Sequence, residues 1–201
     1  MLLFGSKLID TPVLSLQTGG PIGKTRQPII DPTKLKIEAY YLYGPMLNKA
    51  EANTLRMDEV RELSQIGMII DSIDDLIDVN DVVRLKKVAD LNFKLIGHKV
   101  VTKKGKKLGT VTDYTVDAGS FIVQQIIVHK PLMHSFNDPE LTIHRSQIIE
   151  IDDYKIVVKD ETTKVHAAAA VTADMPNFAN PFRKEQPVVA EPASTKAAKQ
   201  S

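Results

Sequence analysis

The stretch that decides the fold is Leu95–Asp113, whose sequence is LIGHKVVTKKGKKLGTVTD. Two β-prone runs, Lys99–Thr102 and Leu108–Val116, flank a lysine-rich turn. Gly105 lies in that turn, and glycine adopts the positive φ that a tight hairpin needs without steric cost. The stretch therefore predicts an antiparallel β-hairpin.

Further strands follow this hairpin. Asp117–Ser120 predicts a second turn, and the Ile- and Val-rich run Phe121–His129 predicts a long strand. Lys155–Lys159 predicts the closing strand. Five or six short strands with tight turns are typical of a small barrel, which hides edges that would otherwise pair with other chains.

The same pattern occurs earlier in the chain, at a spacing of 86–88 residues that follows from the numbering of the matched segments. Apolar positions and turn glycines match in order, although identities are few. A period this long indicates duplicated domains rather than a solenoid of short repeats. The matched segments are Lys7–Leu14 with Lys94–Val101, Pro21–Lys24 with Lys107–Thr110, Ile30–Asp31 with Val116–Asp117, Leu55–Leu63 with Ile143–Ile151, and Met68–Asp71 with Lys155–Val158.

The connector between the copies contains a predicted short helix. Asp78 or Asn80 can cap its start, and Val82, Leu85 and either Val88 or Ala89 fall on one face. We expect this helix to pack on one barrel or between the two.

The predicted fold class is mainly β, with two small antiparallel β-barrels joined by a short helix and followed by a disordered C-terminal tail. The domains are residues 1–71, the connector 72–93, residues 94–160, and the tail 161–201. The tail is rich in alanine and proline and poor in bulky apolar residues, so it has little to offset the entropy of ordering.

Composition narrows the function. The 201 residues include 26 basic and 25 acidic side chains, a net charge of +1, and no cysteine. Near-neutrality argues against a basic surface covering the whole protein, and the lack of cysteine excludes disulfide scaffolds, thiolate catalysis and cysteine-ligated metals. Neither a secretory signal nor a membrane-spanning run is found. We therefore expect a cytoplasmic protein without membrane insertion.

The pattern over Leu95–Asp113, followed by Val116–Asp117, resembles the PRC-barrel, a family named for the photosynthetic reaction centre H subunit. The resemblance covers Lys7–Asp160. The first copy is looser, with Asp10 at the position of Gly97 and Gln27 at that of Asp113.

The resemblance implies a binding and assembly module, with no family-wide catalytic residue to carry over. Such barrels occur alone, in the ribosome maturation factor that engages a small-subunit ribosomal protein, in the reaction centre H subunit, and in some prokaryotic cell-division proteins. The lack of a membrane helix argues against the reaction-centre role. The lack of the maturation factor's N-terminal domain and aromatic segment argues against that role.

Three features are candidate partner-binding sites. The hairpin tip carries Lys103, Lys104, Lys106 and Lys107, which could contact phosphate or an acidic partner, or could simply keep the hairpin soluble. Strand alternation places Tyr41 and Tyr43 on one face, either at an interface or, as we favour, against the connector helix. In the tail, Met175, Phe178 and Phe182 could anchor in a groove, and Asp174–Phe178 is similar to the C-terminal peptide of bacterial tubulin-like division proteins.

Catalytic signatures are not found. His129, His134 and His144 surround a loop with Asp138 and Glu140, but we favour surface histidines over a metal site. The acid pairs Asp58-Glu59, Asp74-Asp75 and Asp152-Asp153 are interpreted as solvated charges, because adjacent side chains point apart.

We therefore expect a non-enzymatic adapter that binds a protein partner and uses no cofactor or metal. The alternative is an RNA-binding or ribosome-assembly factor, similar to 16S rRNA processing factors, that engages RNA or a ribosomal protein through the basic hairpin. Weaker alternatives are a cell-division-associated adapter that uses the tail, and a hydrolase or metalloenzyme that uses the His129–His144 loop.

Overall fold

The chain folds mainly into β-strands, as the sequence predicts, with one short α-helix between the two copies. This computed structural model describes residues 1–47, 53–130 and 140–160, all within the unit Met1–Ala168. The tail predicted to be disordered lies outside the described residues.

The elements follow one another in the order that the repeat predicts. Before the helix come β1 (Leu2–Phe4), β2 (Pro12–Ser15), β3 (Gly20–Asp31), β4 (Lys36–Tyr43), β5 (Thr54–Arg56), β6 (Glu62–Ser64) and β7 (Gly67–Ile70). After α1 (Val83–Asp90) come β8 (Lys99–Thr102), β9 (Lys107–Asp117), β10 (Val123–His129), β11 (Glu140–His144), β12 (Ile148–Ile151) and β13 (Lys155–Val158). Short 3-10 helices cover Gly5–Leu8, Met57–Glu59, Ile73–Asp75, Val79–Asp81 and Arg145–Gln147.

Both sheets have the same strand order, β5-β4-β3-β2-β7-β6 in the first and β11-β10-β9-β8-β13-β12 in the second. Neighbours on these paths are antiparallel except β2–β7 and β8–β13, which are parallel. The expectation of antiparallel barrels is corrected at this one pair in each sheet. After the fourth strand of each copy, a 3-10 helix leads the chain to the opposite side of the sheet, so the last strand runs beside the first in the same direction.

Elements with the same place in the two sheets lie at a nearly constant spacing along the chain. Pro12 and Lys99, which start equivalent strands, are 87 residues apart (99 − 12), and Met57 and Arg145, which start equivalent 3-10 helices, are 88 apart (145 − 57). Two pairs of equivalent positions also share a positive φ.

Two pairs of equivalent residues adopt the left-handed region. Asp10 has φ +59° where Gly97 has φ +97°, and Leu35 has φ +51° where Phe121 has φ +55°. Aspartate is one of the few side chains that tolerate this region, which explains how the first copy replaces the glycine. Leucine and phenylalanine do so rarely, so the surrounding structure must hold Leu35 and Phe121 in place.

The two copies meet where these turns lie. The Ile37 N–H donates to the Phe121 carbonyl at 2.9 Å, and the equivalent Val123 N–H donates to the Leu35 carbonyl at 2.7 Å. Lys36 and Ile122 form a single antiparallel bridge between these two hydrogen bonds. Because equivalent residues of the two halves exchange the same contacts, this bridge has a local twofold axis, as an isologous contact does. We call this contact the junction.

One hydrophobic core runs through both halves. Its largest fully buried side chains include Ile22 and Met68 from the first sheet and Ile126 and Ile156 from the second. Such a shared core makes the halves packing partners rather than separate globules.

Two tyrosines, one from each half, meet within this core. Burial raises the pKa of the Tyr40 hydroxyl well above its usual value, and the neighbouring Tyr114 reinforces the shift. Burial, with a smaller contribution from Asp113, raises the pKa of Tyr114 to about 12. The Tyr40 hydroxyl has no hydrogen-bond partner among the described residues, although Tyr114 is close enough to affect its pKa. Both phenols therefore stay protonated near neutral pH.

The N-terminal segment crosses to the second sheet. Strand β1 pairs antiparallel with β9, although the sequence places residues 1–71 in the first domain. Gly5 packs on the Tyr114 ring so closely that a Cβ would lie 2.3 Å from a ring carbon. Ser6 donates to Asp113 through its backbone N–H (3.1 Å) and its hydroxyl (2.6 Å). The first copy thus extends an arm over the second.

Helix α1 packs on the first sheet. Leu85 is buried against Ile29 and Ala39, and Val82, Val88 and Ala89 join the same cluster, which confirms the predicted apolar face. Asp78 does act as a cap, but of the 3-10 helix Val79–Asp81, where it accepts from the Asn80 N–H at 2.8 Å.

Equivalent aspartates organise the two junction turns. Asp31 accepts hydrogen bonds from the Thr33 N–H (2.9 Å) and hydroxyl (2.6 Å), while Asp117 accepts from the Ser120 hydroxyl at 2.8 Å. Burial by itself would raise the pKa of Asp31, but the hydrogen bonds from Thr33 and Lys34 outweigh it and the pKa is lowered. The charged form of Asp31 is therefore the form that the turn stabilises.

The Asp31→Asn variant tests this turn. A carboxyl whose pKa is lower in the folded state stabilises the fold above its unfolded pKa, and this contribution is lost as pH falls through the lower, folded pKa. We expect the variant to lose about 1 kcal/mol of unfolding free energy at pH 7, and the difference to shrink below about pH 4. Urea unfolding across this pH range measures it, with the exposed Asp153→Asn as the control. An equal loss at pH 7 and pH 3 contradicts the account.

Candidate binding surfaces

The basic hairpin joins β8 to β9. Its backbone is held by hydrogen bonds from the Thr102 N–H to the Lys106 carbonyl (2.9 Å) and from the Gly105 N–H to the Thr102 carbonyl (2.8 Å). Gly105 has φ +83°, as the sequence predicts. Its four lysines are all exposed, and none forms an ion pair with a described residue. An ordered turn thus presents Lys103, Lys104, Lys106 and Lys107 to solvent.

The equivalent hairpin of the first half is not basic. Its tip contains Leu16, Gln17 and Thr18, all exposed, and Gly19 takes the positive φ of +69° that Gly105 takes in the second half. The shared turn geometry therefore does not require lysine, and the charge is a property of the second half alone.

The three tyrosines of β4 lie in different environments: one in the core, one against α1 and one at the surface. Tyr40 is fully buried in the shared core, whereas Tyr41 packs with the Leu85 cluster of α1. Burial raises the pKa of Tyr41, with help from Asp90 and Asp78 in the connector. Tyr43 is 42% exposed, and its hydroxyl donates to Asp10 at 2.8 Å. The favoured interpretation, packing against the connector helix, holds for Tyr41, while Tyr43 is left at the surface.

The described histidines have separate positions. His129 pairs with Glu140 at one end of the β10–β11 ladder and His144 with Gln125 at the other, four residue steps away, or about 13 Å. His98 is buried, with Nδ1 2.7 Å from the Lys94 carbonyl and Nε2 3.1 Å from the Asp152 carbonyl. In residues 1–47, 53–130 and 140–160, no group of three acids and histidines could hold a metal ion. His134 and Asp138 lie outside those ranges.

Acidic residues of the predicted pairs organise turns. Asp75 accepts from the Ser72 N–H at 2.8 Å in a capping box. Hydrogen bonds from the Tyr154 and Lys155 N–H groups lower the pKa of the Asp152 carboxyl. Asp58 pairs with Arg56. Asp58 is exposed, as expected, whereas Asp75 and Asp152 are partly buried and have local structural roles that their sequence does not show.

One surface feature escapes sequence analysis. An apolar groove of about 350 Å³, which we call the junction groove, is lined by both halves. Its walls include Ile9, Pro28 and Ile30 from the first copy and Phe93, Ile96 and Tyr114 from the second. Ile9 and Ile96 occupy equivalent repeat positions, 87 residues apart (96 − 9), and remain 36% and 48% exposed. The one sequence signal that could have indicated this groove is that both halves have an isoleucine directly before the left-handed residue, Ile9 before Asp10 and Ile96 before Gly97.

The tail candidates Met175, Phe178 and Phe182 lie outside the described residues. Within those residues, no helix has the length and apolar character that crossing a membrane requires.

With this geometry in place, comparison with known proteins identifies a PRC-barrel domain at residues 91–164. The matched segment starts just after α1 and contains every strand from β8 to β13. None of the curated proteins compared with the chain matches it. The second half is thus a PRC-barrel domain, as its Leu95–Asp113 sequence suggests, and such a domain points in general to a binding or adapter role.

Tyr41→Ala and Tyr43→Ala compare the two tyrosines directly. Tyr41 loses packing against α1, so we expect a loss of about 2 kcal/mol or more in unfolding free energy. Tyr43 lies at the surface, so its replacement is expected to cost about 1 kcal/mol or less. Urea unfolding followed by circular dichroism measures both, and equal losses would contradict the assignment.

Proposed function

We propose that this chain is a non-enzymatic adapter built from two PRC-type barrels, which binds a partner protein. The observation that carries the proposal is the PRC-barrel domain at residues 91–164, beside a first half of the same strand order. Modules of this kind act by presenting surfaces, and function has to be argued from those surfaces rather than from the fold alone.

The proposal includes the first half as a diverged second copy of the domain. Three observations support it: the identical strand path, the 86–88 residue spacing, and the left-handed pairs Asp10 with Gly97 and Leu35 with Phe121. A reciprocal junction is also what fusion of two symmetric copies would leave. We also propose that the adapter is cytoplasmic, because a chain without cysteine needs no disulfide and is compatible with a reducing compartment.

A second candidate function is RNA binding, and the basic hairpin favours it. Four exposed lysines on an ordered tip can neutralise phosphates, which makes affinity fall steeply with salt. No aromatic side chain lies among the hairpin residues Lys103–Lys107 to stack on a base. We therefore rank RNA below a protein partner. The cell-division alternative rests on the tail and remains a prediction.

Affinity capture with nuclease treatment decides between these functions. The tagged full chain is incubated with lysate of its source with and without RNase and DNase, and a captured protein is then produced separately and tested for direct binding by calorimetry. An adapter should retain that partner after nuclease and bind it directly. Loss of every captured protein on nuclease treatment, with direct RNA binding instead, overturns the proposal.

A four-lysine variant sharpens the test. Alanine at the four hairpin lysines should leave an adapter's partner binding within about threefold if the hairpin is only solubilising, because exposed charges away from an interface contribute little. If RNA is the ligand, the same variant should lose up to four phosphate contacts. The slope of the logarithm of RNA affinity against the logarithm of salt concentration should then become shallower by as much as about three to four. The matched control replaces four exposed lysines elsewhere and removes the same charge: Lys7, Lys24, Lys86 and Lys87.

A further inference from the structure

The junction groove combines an apolar interior with a cationic rim. Phe93 and Ile96 from the second half line the groove together with Pro28 and Ile30 from the first, and Tyr114 contributes its buried ring. The volume of about 350 Å³ is at the lower end of the range for ligand pockets and suits one or two large side chains.

The groove is built from equivalent parts of the repeat. Segment 6–9 of the first copy corresponds to 93–96 of the second, and segment 26–30 to 112–116, with offsets of 87 and 86 residues. Residues from all four segments line it. The groove is therefore a product of the pairing of the two halves, and neither half alone would form it.

The rim carries two exposed cations. Arg26 and Lys94 line the groove, and among the described residues no Asp or Glu lines it. Neither cation forms an ion pair with a described residue. The nearby Asp113 carboxylate is occupied by Ser6 and the Tyr114 N–H. The two rim cations are thus available to an acidic ligand.

A second cleft, beside α1, has more of its charge paired within the protein. Its cations Lys34 and Lys36 pair with Glu38, and Arg56 pairs with Asp58, whereas Arg84 forms no ion pair with a described residue. Its lining is about as polar as apolar, while that of the junction groove is mainly apolar, so the junction groove is the stronger candidate for an apolar anchor.

We propose that the junction groove binds an acidic segment of a partner protein, whose large apolar side chain enters the groove while its carboxylates contact Arg26 and Lys94. This inference rests on the proposed adapter function and gives it a site. A buried apolar anchor with flanking charge complementarity is the arrangement that concentrates binding energy at interfaces.

Selection of displayed random dodecapeptides against the full chain tests the chemistry. We expect enriched peptides to combine a large apolar residue with Asp or Glu. Because the chain has no tryptophan, the emission of a tryptophan placed in a selected peptide reports its burial and gives its affinity. Enrichment of peptides without acidic residues overturns the proposal, as does binding of dodecanoate in preference to any peptide.

Ile96→Asp and its matched control Ile149→Asp locate the site. Both isoleucines are 48% exposed, but only Ile96 lines the junction groove. We expect the Ile96 variant to weaken peptide binding at least about tenfold and the Ile149 variant to change it less than about twofold. Reversal of the rim, Arg26→Glu with Lys94→Glu, should also weaken it at least about tenfold, whereas Lys86→Glu with Lys87→Glu should not. Equal effects of the two isoleucine variants overturn the proposal.

The same variants separate this inference from the adapter function. If the Ile96 variant still captures and directly binds the partner of the wild-type chain, the groove proposal fails while the adapter function stands. If the wild-type chain binds no protein directly, the adapter function itself fails.

Discussion

The structure depends on a reciprocal pair of backbone hydrogen bonds between its two halves. Ile37 donates to Phe121, and Val123 donates to Leu35, across the local twofold axis. Both acceptors belong to residues with positive φ, a conformation that costs leucine or phenylalanine of order 1–2 kcal/mol. Their side chains are buried in the shared core, and that burial, about 1.5–3 kcal/mol for a large apolar side chain, can offset the strain. Strain and burial thus occur together at Leu35 and Phe121, the two residues whose carbonyls accept the junction hydrogen bonds.

The binding surfaces follow from this arrangement and from where its symmetry is broken. Pairing the copies brings their equivalent segments together and creates the junction groove. The arm β1 pairs with β9 of the second half, and helix α1 packs on the first half. The basic hairpin likewise belongs to one half, since its counterpart ends in Leu16, Gln17 and Thr18. Two halves of the same strand order thus present different faces.

Local pattern was enough to predict the hairpin around Gly105, the repeat spacing and the apolar face of α1, because each depends on residues near in sequence. The parallel pairs β2–β7 and β8–β13 were not predicted, since strand direction across a sheet depends on where the last strand returns. Two further features were missed, the pairing of β1 with β9 and the exposure of Ile9 and Ile96 in one groove. Both depend on how the two halves pack against each other. In addition, an apolar residue that lines a groove looks the same in the sequence as one in the core.

Native-state hydrogen exchange tests most directly whether the junction makes the two halves one folding unit. The informative amides are those of Ile37 and Val123, compared with amides in the β3–β4 and β9–β10 ladders as urea is increased below the unfolding transition. The account predicts that junction and ladder amides of both sheets converge on one opening free energy. The account is contradicted if the ladder amides of one sheet converge on a lower opening free energy than those of the other. In that case the Ile37 and Val123 amides would exchange while the amides of the more stable sheet stay protected.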